Sequence, residues 1–237
     1  MTPRLLYLDN SLQGGVPEKL DGHFRAQGLG VEVFWAAGGN FPGDLAAYDA
    51  IFLSGSPPAP SDPLPWIARE IRLIRNAVAS GIPILGECFG SQILAHTLCG
   101  ADMVFRRRDF ETGYVPIATS AAWTGDPLGR SMPGTFTMFT WHRDEVRASH
   151  PDMTVLGASP DCPNQIWRHN RYPVWGLQGH PEAGGDHAQD WFAAYRDDLI
   201  RSKAPLAQLH AGGFPRTPEA LRIFANFAAV ARERASR

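Results

Sequence analysis

Residues 84–92 read ILGECFGSQ, an apolar run that leads into a cysteine standing between Gly86 and Gly90. The residues that follow carry apolar side chains at helical spacing and end at Gly100. This pattern predicts a buried strand that turns sharply into a helix at Cys88. Small neighbours allow such a turn and lift the side chain between them above the sheet, which is the mechanics of a nucleophile elbow. The alternative is an ordinary buried cysteine beside a strand-to-helix turn.

Outward from this corner, short apolar runs alternate with helix-period segments along the first hundred residues. Strands are predicted at residues 5–8, 31–35, 50–55 and 82–86. A helix is predicted within residues 63–83, where Ile67, Ile71, Ile74 and Val78 fall on one face and Gly81 supplies the stop. The proline-rich loop at residues 55–65 comes directly after a strand end. Alternating strands and helices predict an α/β fold with a doubly wound, mostly parallel sheet flanked by helices.

After residue 114 the pattern changes to shorter extended pieces separated by turn residues. They lie at residues 114–119, 136–142, 154–159, 164–169 and 172–180, and they predict an antiparallel extension of the same sheet. Helical patterns at residues 187–203 and 217–234, joined by a turn at 212–215, are expected to cover an open face or edge. We expect one domain over residues 1–237, with a core at about 5–182 and a helical tail at about 187–235.

Composition limits the classes of partner. The 237 residues are 44% hydrophobic, with a formal charge of −2 and a pI near 6.4, so nothing favours nucleic acid or an anionic membrane. Three cysteines without a CxxC pair indicate neither a disulfide framework nor a structural zinc site, and fit a reducing cytoplasm. No run reaches membrane-spanning length, and no glycine-rich nucleotide motif occurs. Small molecules or proteins remain as partners, and we expect no metal and no cofactor.

A thiolate that attacks an amide needs an acid or base for the leaving amine, and that group needs an orienting partner. In WGLQGHPE, at residues 175–182, His180 ends an apolar stretch and Glu182 stands two residues later. Residues i and i+2 of an extended segment point to the same side, so Glu182 can hold the imidazole. The alternative is a turn histidine beside an exposed glutamate.

Together, GECFGSQ and QGHPE resemble the class I glutamine amidotransferases, which carry G-x-C-x-G-x-Q and H-x-E motifs. LSGSP at residues 53–57 and TWHRDEV at residues 140–146 are similar to further family segments. The resemblance implies a flavodoxin-like amidotransferase fold and a triad of Cys88, His180 and Glu182 that works through a thioester.

The resemblance also implies two further sets of groups. The backbone N–H groups of Ser56 and Phe89 would form the oxyanion hole. Gly55, Gln92 and the main chain near Arg143 and Asp144 would bind the glutamate half of the substrate. These roles come from the family motif alone.

The chain departs from the family pattern at three positions. Ser56 and Ser91 stand where glycine and histidine are common, and Glu87 precedes the nucleophile where an apolar residue is usual. An acidic neighbour would oppose thiolate formation, so we expect Glu87 to point away into a polar contact. The alternative is recognition of a substrate ammonium group.

Three other features have competing interpretations. His142 and Asp144 imitate a base with its orienter, but His180 has the better-placed glutamate, so a structural or substrate-framing role is expected. The arginines at positions 106–108 could bind a phosphate or an acidic partner, and a solvated loop is expected instead. The tryptophans are scattered, which favours core packing over a stacking platform. Six of the seven are Trp35, Trp123, Trp141, Trp167, Trp175 and Trp191.

Three functions fit these patterns. The first is a stand-alone hydrolase of γ-glutamyl amides, since residues 110–120 and 162–182 look like the GMP-synthetase-like members that include γ-glutamyl peptidases. The second is a glutaminase subunit that passes ammonia to a separate synthase chain. The third is a catalytically silent binding or regulatory protein on the same fold. Neither the leaving amine nor the oligomeric state follows from the sequence.

Overall fold

The computed structural model describes residues 2–15, 20–185, 188–203 and 213–237. Within these ranges, nine strands form one sheet. The strands are β1 (Arg4–Asp9), β2 (Gly30–Trp35), β3 (Ala50–Leu53), β4 (Ile84–Glu87), β5 (Val104–Thr119), β6 (Thr135–Val146), β7 (Met153–Ala158), β8 (Ile166–His169) and β9 (Val174–Leu177). The helices are α1 (Asp21–Ala26), α2 (Pro65–Ala79), α3 (Phe89–Cys99), α4 (Ala188–Ala194), α5 (Arg196–Arg201) and α6 (Pro218–Ala235).

The strand order is β2-β1-β3-β4-β9-β8-β7-β5-β6. The first five strands pair in parallel, and the pairings from β9 to β6 are antiparallel. The predicted doubly wound sheet with an antiparallel extension is therefore confirmed. The order reverses at β1, and ligands of such sheets bind beyond the carboxyl ends of the strands at that reversal.

Helices cover both faces of the sheet because successive side chains of the central strands point to opposite sides. Leu5, Tyr7 and Phe52 lie in one buried cluster with Phe24 of α1 and Phe224 of α6. A second cluster joins the opposite face to α2 and α3. The predicted C-terminal helix thus packs on the sheet, on the same side as α1.

The predicted helix at residues 187–203 is divided in two. Residue 187 lies outside the described residues, and α4 ends before Tyr195, which caps the start of α5. Residue 212 of the predicted turn also lies outside them. Trp191, Phe192 and Leu199 of these helices pack in a third cluster around Phe139 of β6. None of the helices in the described ranges is both long and apolar enough to cross a membrane.

The expectation of a loop at residues 106–108 is wrong, although the Arg108 side chain is solvated as expected, at 96% exposed. These residues belong to β5, which begins ten residues earlier than the extended piece predicted at 114–119. Arg106 pairs with the Asp144 carboxylate at 2.8 and 3.0 Å, and Arg107 lies 2.6 Å from Glu145. The partner acids lie on β6, so the antiparallel pairing was needed to reveal them. The register shifts between Arg106 and Glu111, where the strand bulges.

Candidate active site

Cys88 stands at the predicted corner between β4 and α3. Its φ of 50° and ψ of −108° are strained for a residue with a side chain. A Cβ on Gly86 would lie 2.4 Å from the backbone of Gly90, and one on Gly90 would lie 2.2 Å from the carbonyl oxygen of Leu53. Both glycines are therefore steric requirements of the turn. The Cys88 N–H donates to the Leu177 carbonyl at 2.7 Å, which ties the elbow to β9.

Cys88 differs from the other two cysteines in its surroundings. It is half-buried and lines a pocket at the carboxyl ends of the strands. Burial raises the pKa of Cys99 to about 11, and burial also raises the pKa of Cys162. Those two side chains are therefore thiols at neutral pH and lie away from the pocket lining.

His180 lies just beyond β9, facing the elbow. Its backbone N–H donates to the Phe139 carbonyl at 2.7 Å, which fixes the chain against β6. Its Nδ1 lies 3.0 Å from Glu182 Oε1, so the contact predicted from the i, i+2 spacing is present. Trp191 Nε1 of α4 donates to the same oxygen at 2.9 Å. The tail therefore helps to hold the carboxylate that contacts the histidine.

The electrostatics around His180 favour the imidazolium. Burial by itself would lower the pKa of His180, but the Glu182 charge, the Cys88 thiol and hydrogen bonds to Glu182 and Glu87 together raise that pKa well above 6.5. Nε2 is buried and has no hydrogen-bond partner among the described residues. The interaction with the Cys88 side chain also contributes to the raised pKa of His180, so the thiol and the imidazole lie within reach of each other.

Glu87 does not point away from the site, which corrects the expectation. Its Oε1 lies 3.0 Å from His180 Nδ1, and the side chain is 2% exposed. The reason is its position at the end of β4, where the neighbouring β9 leads directly to the histidine. His180 provides the polar contact that was expected for Glu87, but this contact lies inside the site and not away from it.

The loop after β3 approaches both Cys88 and His180. A Cβ on Gly55 would lie 3.4 Å from Cys88 Cβ and 3.5 Å from His180 Cε1, and Ser56 also lines the pocket. Phe89 is the first residue of α3, so its N–H belongs to the helical turn that lacks intrahelical acceptors. Its ring packs on Trp66 at 5.3 Å between centroids. The oxyanion role of the Ser56 and Phe89 amides stays a prediction.

Gln92, Arg143 and Asp144 all line the pocket, as expected for groups near the substrate. Gln92 Nε2 donates to the Asp144 carbonyl at 2.9 Å, which joins α3 to β6. Arg143 donates at 3.3 Å to the carbonyls of Arg107 and Arg108. The Asp144 carboxylate is engaged by Arg106, so this residue offers the pocket its backbone more than its charge.

His142 belongs to a separate buried network. Its Nε2 lies 2.7 Å from Glu111 Oε2, and its Nδ1 lies 3.2 Å from the Asp144 carbonyl oxygen. Ser159 and Gln165 complete the hydrogen bonds of Glu111 at 2.6 and 2.8 Å. Both ring nitrogens are therefore occupied, which favours the structural interpretation of His142 over a catalytic one.

The pocket has a volume of about 370 Å³ and extends outward from Cys88. Its apolar lining, which we call the apolar outer wall, is formed by Leu12, Pro57, Pro58, Phe110, Trp141, Trp191 and Tyr195. The charged side chains of Arg106, Arg143, Asp198 and Arg201 line the same pocket. Trp191 is 1% exposed in the third cluster and Trp141 packs against it, so the core-packing interpretation holds for both, and both also line the pocket. Sequence reasoning missed the contribution of α4 and α5, although aromatic residues four apart after the H-x-E motif, Trp191 and Tyr195, were a usable signal.

Two groups of side chains bring ligand-type atoms within 4.8 Å of one another in the described residues. One group consists of Glu87, His180 and Glu182. The other consists of Glu111, His142 and Cys162. Histidine–carboxylate hydrogen bonds of 3.0 and 2.7 Å account for the closeness in each. We assign a metal to neither.

Comparison with known proteins gives concordant results. The profile described as Glutamine amidotransferase class-I matches residues 10–193. A γ-glutamyl-L-1-hydroxyisopropylamide hydrolase from Pseudomonas sp. is 32% identical over 146 residues, which are 60% of this chain and 49% of that protein. One subunit of a glutamine-hydrolysing GMP synthase from Pyrococcus abyssi is 31% identical over 120 residues, 50% of this chain and 61% of that protein. The chain thus matches about half the length of the hydrolase.

The fold has a close counterpart among solved structures. A glutamine amidotransferase from Thermotoga maritima superposes with a TM-score of 0.80 over 100% of both chains, at 22% identity. At this identity the likeness concerns the fold. The family profile, by contrast, covers most of the chain and includes both the elbow and the His180 segment. This chain belongs to the class I glutamine amidotransferase family.

Proposed function

We propose that the protein hydrolyses the γ-glutamyl amide bond of a small metabolite or peptide and releases glutamate and an amine. The observation that carries the proposal is the strained Cys88 elbow, which shares a pocket with a histidine whose Nδ1 is held by a carboxylate. Nucleophile, acid–base group and orienter are the three parts that covalent amide hydrolysis needs. The name of the Pseudomonas relative, a γ-glutamyl amide hydrolase, supports the same bond type.

In the acylation half-reaction, the Cys88 thiolate attacks the γ-carboxamide carbon and forms the sulfur–carbon bond. The backbone N–H groups of Ser56 and Phe89 would stabilise the oxyanion, each contributing about 3 kcal/mol. The carbon–nitrogen bond then breaks as His180 Nε2–H gives its proton to the departing amine. The raised pKa of His180 suits this step, because the ring carries the proton at neutral pH.

Deacylation uses the same histidine in its neutral form. Water adds to the thioester carbon as Nε2 accepts a proton from it, the sulfur–carbon bond breaks, and glutamate leaves. Glu182 keeps Nδ1 protonated throughout, so that Nε2 is the nitrogen that exchanges the proton. Trp191 holds Glu182 in place through its indole N–H.

The two halves of the substrate would occupy different parts of the pocket. Gly55, Gln92 and the main chain at Arg143 and Asp144 would bind the glutamate half, since all four line the pocket beside the elbow. The leaving amine would face the apolar outer wall. Ammonia gains nothing from that wall, whereas an organic amine can use contacts there to orient the scissile bond. We therefore expect γ-glutamyl amines or peptides to be better substrates than glutamine.

The test is steady-state release of glutamate by the purified chain from a panel of γ-glutamyl amides and from glutamine. The expected kcat/KM for the best conjugate exceeds that for glutamine at least about tenfold, or roughly 1.4 kcal/mol in transition-state stabilisation. Phe110→Ala, at the outer wall, should reduce this preference and leave glutamine hydrolysis unchanged. No turnover of any γ-glutamyl compound would reject the proposal.

The relative from Pyrococcus abyssi supports a second candidate, a glutaminase chain that works with a synthase partner. In that case glutamine is the best substrate, and its hydrolysis rises sharply when the synthase chain is added. The same kinetic panel, repeated in the presence of a GMP synthase partner chain, separates the two functions.

A further inference from the structure

Two carboxylates, rather than one, contact the same nitrogen of His180. Glu182 Oε1 and Glu87 Oε1 each lie 3.0 Å from Nδ1. The three side chains are 6%, 1% and 2% exposed for His180, Glu182 and Glu87. A histidine that needs only an orienter is satisfied by a single acceptor, so the second one requires an explanation.

The two glutamates come from separate parts of the fold. Glu87 is the last residue of β4, pairs with Leu177 of β9, and directly precedes the nucleophile. Glu182 follows β9 and is held by Trp191. The same strand end that places Cys88 therefore places Glu87, and this fixes one carboxylate relative to both the sulfur and the ring.

The protonated ring of His180 explains how the two glutamates can lie so close to each other. Their contacting oxygens and Nδ1 all lie within 4.8 Å of one another. Two buried carboxylates repel strongly unless a cation stands between them, and the imidazolium supplies that charge. One N–H is then shared by two charged acceptors, which strengthens the preference for the protonated ring.

The other neighbours of the ring do not duplicate this effect. The titratable groups in contact with His180 are Glu87 from β4, Cys88 at the elbow and Glu182 beyond β9. Phe139 of β6 and Trp191 of α4 contribute uncharged rings at 6.4 and 5.2 Å between centroids. The two glutamates are thus the fixed negative charges that bear on the protonation of this histidine.

We propose that Glu87 is a second positioning residue, which shares the Nδ1 proton of His180 with Glu182. This inference rests on the proposed function of His180 as acid and base. Each carboxylate alone keeps Nδ1 protonated and Nε2 directed at the reacting groups, so the two are partly redundant. Removal of both leaves a buried ring free to adopt the wrong tautomer.

The first measurement needs no substrate. NMR titration of protein labelled at histidine Cε1, with the His180 signal assigned from His180→Asn, follows protonation of the ring. Glu87→Gln should move the His180 midpoint to lower pH, because removal of a negative charge destabilises the imidazolium. Glu145→Gln is the matched control, since Glu145 is a buried carboxylate paired with Arg107 away from the ring. It should leave the midpoint unchanged.

The second measurement is the kcat/KM of Glu87→Gln, Glu182→Gln and the double variant. Each single change should lower kcat/KM about tenfold, whereas the double change should approach the roughly 10⁴-fold loss that follows when a catalytic histidine loses its orienter. If the loss of kcat/KM in the double variant is larger than the product of the two single losses, the two carboxylates share one role, and the excess measures their coupling.

The outcomes distinguish failure of this inference from failure of the proposed function. An unmoved His180 midpoint in Glu87→Gln, or losses that simply multiply in the double variant, would overturn the role of Glu87. If the wild type turns over no γ-glutamyl amide, the proposed function fails, and the titration still decides the contact. If Glu87→Gln fails to fold, Glu87→Asp replaces it, because it keeps the negative charge but moves that charge away from the ring by one methylene. The His180 midpoint must then also fall, by a smaller amount than expected for Glu87→Gln.

Discussion

Glu70 of α2 provides a test of how burial controls the charge of a carboxyl group in the core. It is fully buried, and its Oε1 accepts a hydrogen bond from Asn10 Nδ2 at 3.1 Å. Among the described residues, Glu70 Oε2 and Asn10 Oδ1 have no hydrogen-bond partner. Burial raises the pKa of Glu70 to about 8, with the Asn10 hydrogen bond opposing the shift. We infer a neutral carboxyl group here at pH 7.

The sign and size of the effect follow from proton linkage. The unfolded chain releases the Glu70 proton near pH 4.5, whereas the folded chain keeps it until about pH 8. Stability is therefore lost as pH rises between these values, by about 1.36 kcal/mol for each unit. The penalty amounts to about 3 kcal/mol at pH 7 and vanishes below pH 4.5.

Glu70→Gln removes this penalty, because the amide imitates the neutral acid and still accepts from Asn10. We expect a gain of about 3 kcal/mol at pH 7, or roughly 6–12 °C in Tm for a domain of this size, and no gain at pH 4. Urea titrations at pH 4, 5.5, 7 and 8 measure the difference between wild type and variant. Glu233→Gln, at an exposed pair with Arg130, is the control and should change stability little at any of these pH values.

A gain that does not depend on pH would show that Glu70 does not titrate between the two states as described. Destabilisation at pH 7 would show that the folded protein uses the ionised carboxylate. Either result would refute the reasoning that burial dominates over the Asn10 contact.

Four further outcomes are expected at the active site. Cys88→Ala should abolish turnover and leave the melting temperature within a few degrees, since it removes one half-buried sulfur; full activity of this variant would exclude the nucleophile. His180→Ala should lower kcat/KM by several orders of magnitude and His142→Ala by far less, and the reverse order would exchange their roles. Trp191→Phe, which removes the N–H bonded to Glu182, should lower kcat/KM by less than the loss expected for Glu182→Gln, and an equal or larger loss would contradict the partial redundancy of the two glutamates. The pH profile of kcat/KM should stay high well above pH 6.5, because the ring is protonated there, and a fall near pH 6.5 would contradict the raised pKa of His180.

Features with local causes could be predicted from the sequence. The Cys88 corner follows from glycine spacing, and the His180 to Glu182 contact follows from two residues in one extended segment. The parallel half of the sheet also follows, because each strand there is a short apolar run bounded by turn residues. In each of these cases the residues that form the structural feature lie within a few positions of one another in the sequence.

The missed features depend on partners distant in the chain. The orientation of Glu87 depends on His180, which reaches it through the pairing of β4 with β9. The strand at Arg106 depends on acids of β6 that lie 38 positions later. Trp191 lines the pocket because α4 folds back over β6. The spacing of residues along the chain does not indicate such long-range contacts. A single glutamate or tryptophan in the sequence is compatible with several structural environments.

The proposed function requires Cys88 to carry the γ-glutamyl group during turnover, and rapid-quench mass spectrometry can detect this thioester. The purified chain is mixed with a γ-glutamyl amide, quenched in acid within the first turnover, and digested for peptide mapping. We expect a mass increase of one γ-glutamyl group on the peptide that contains Cys88, and no such increase in Cys88→Ala. An adduct on another residue, or steady glutamate release by Cys88→Ala, would contradict this expectation.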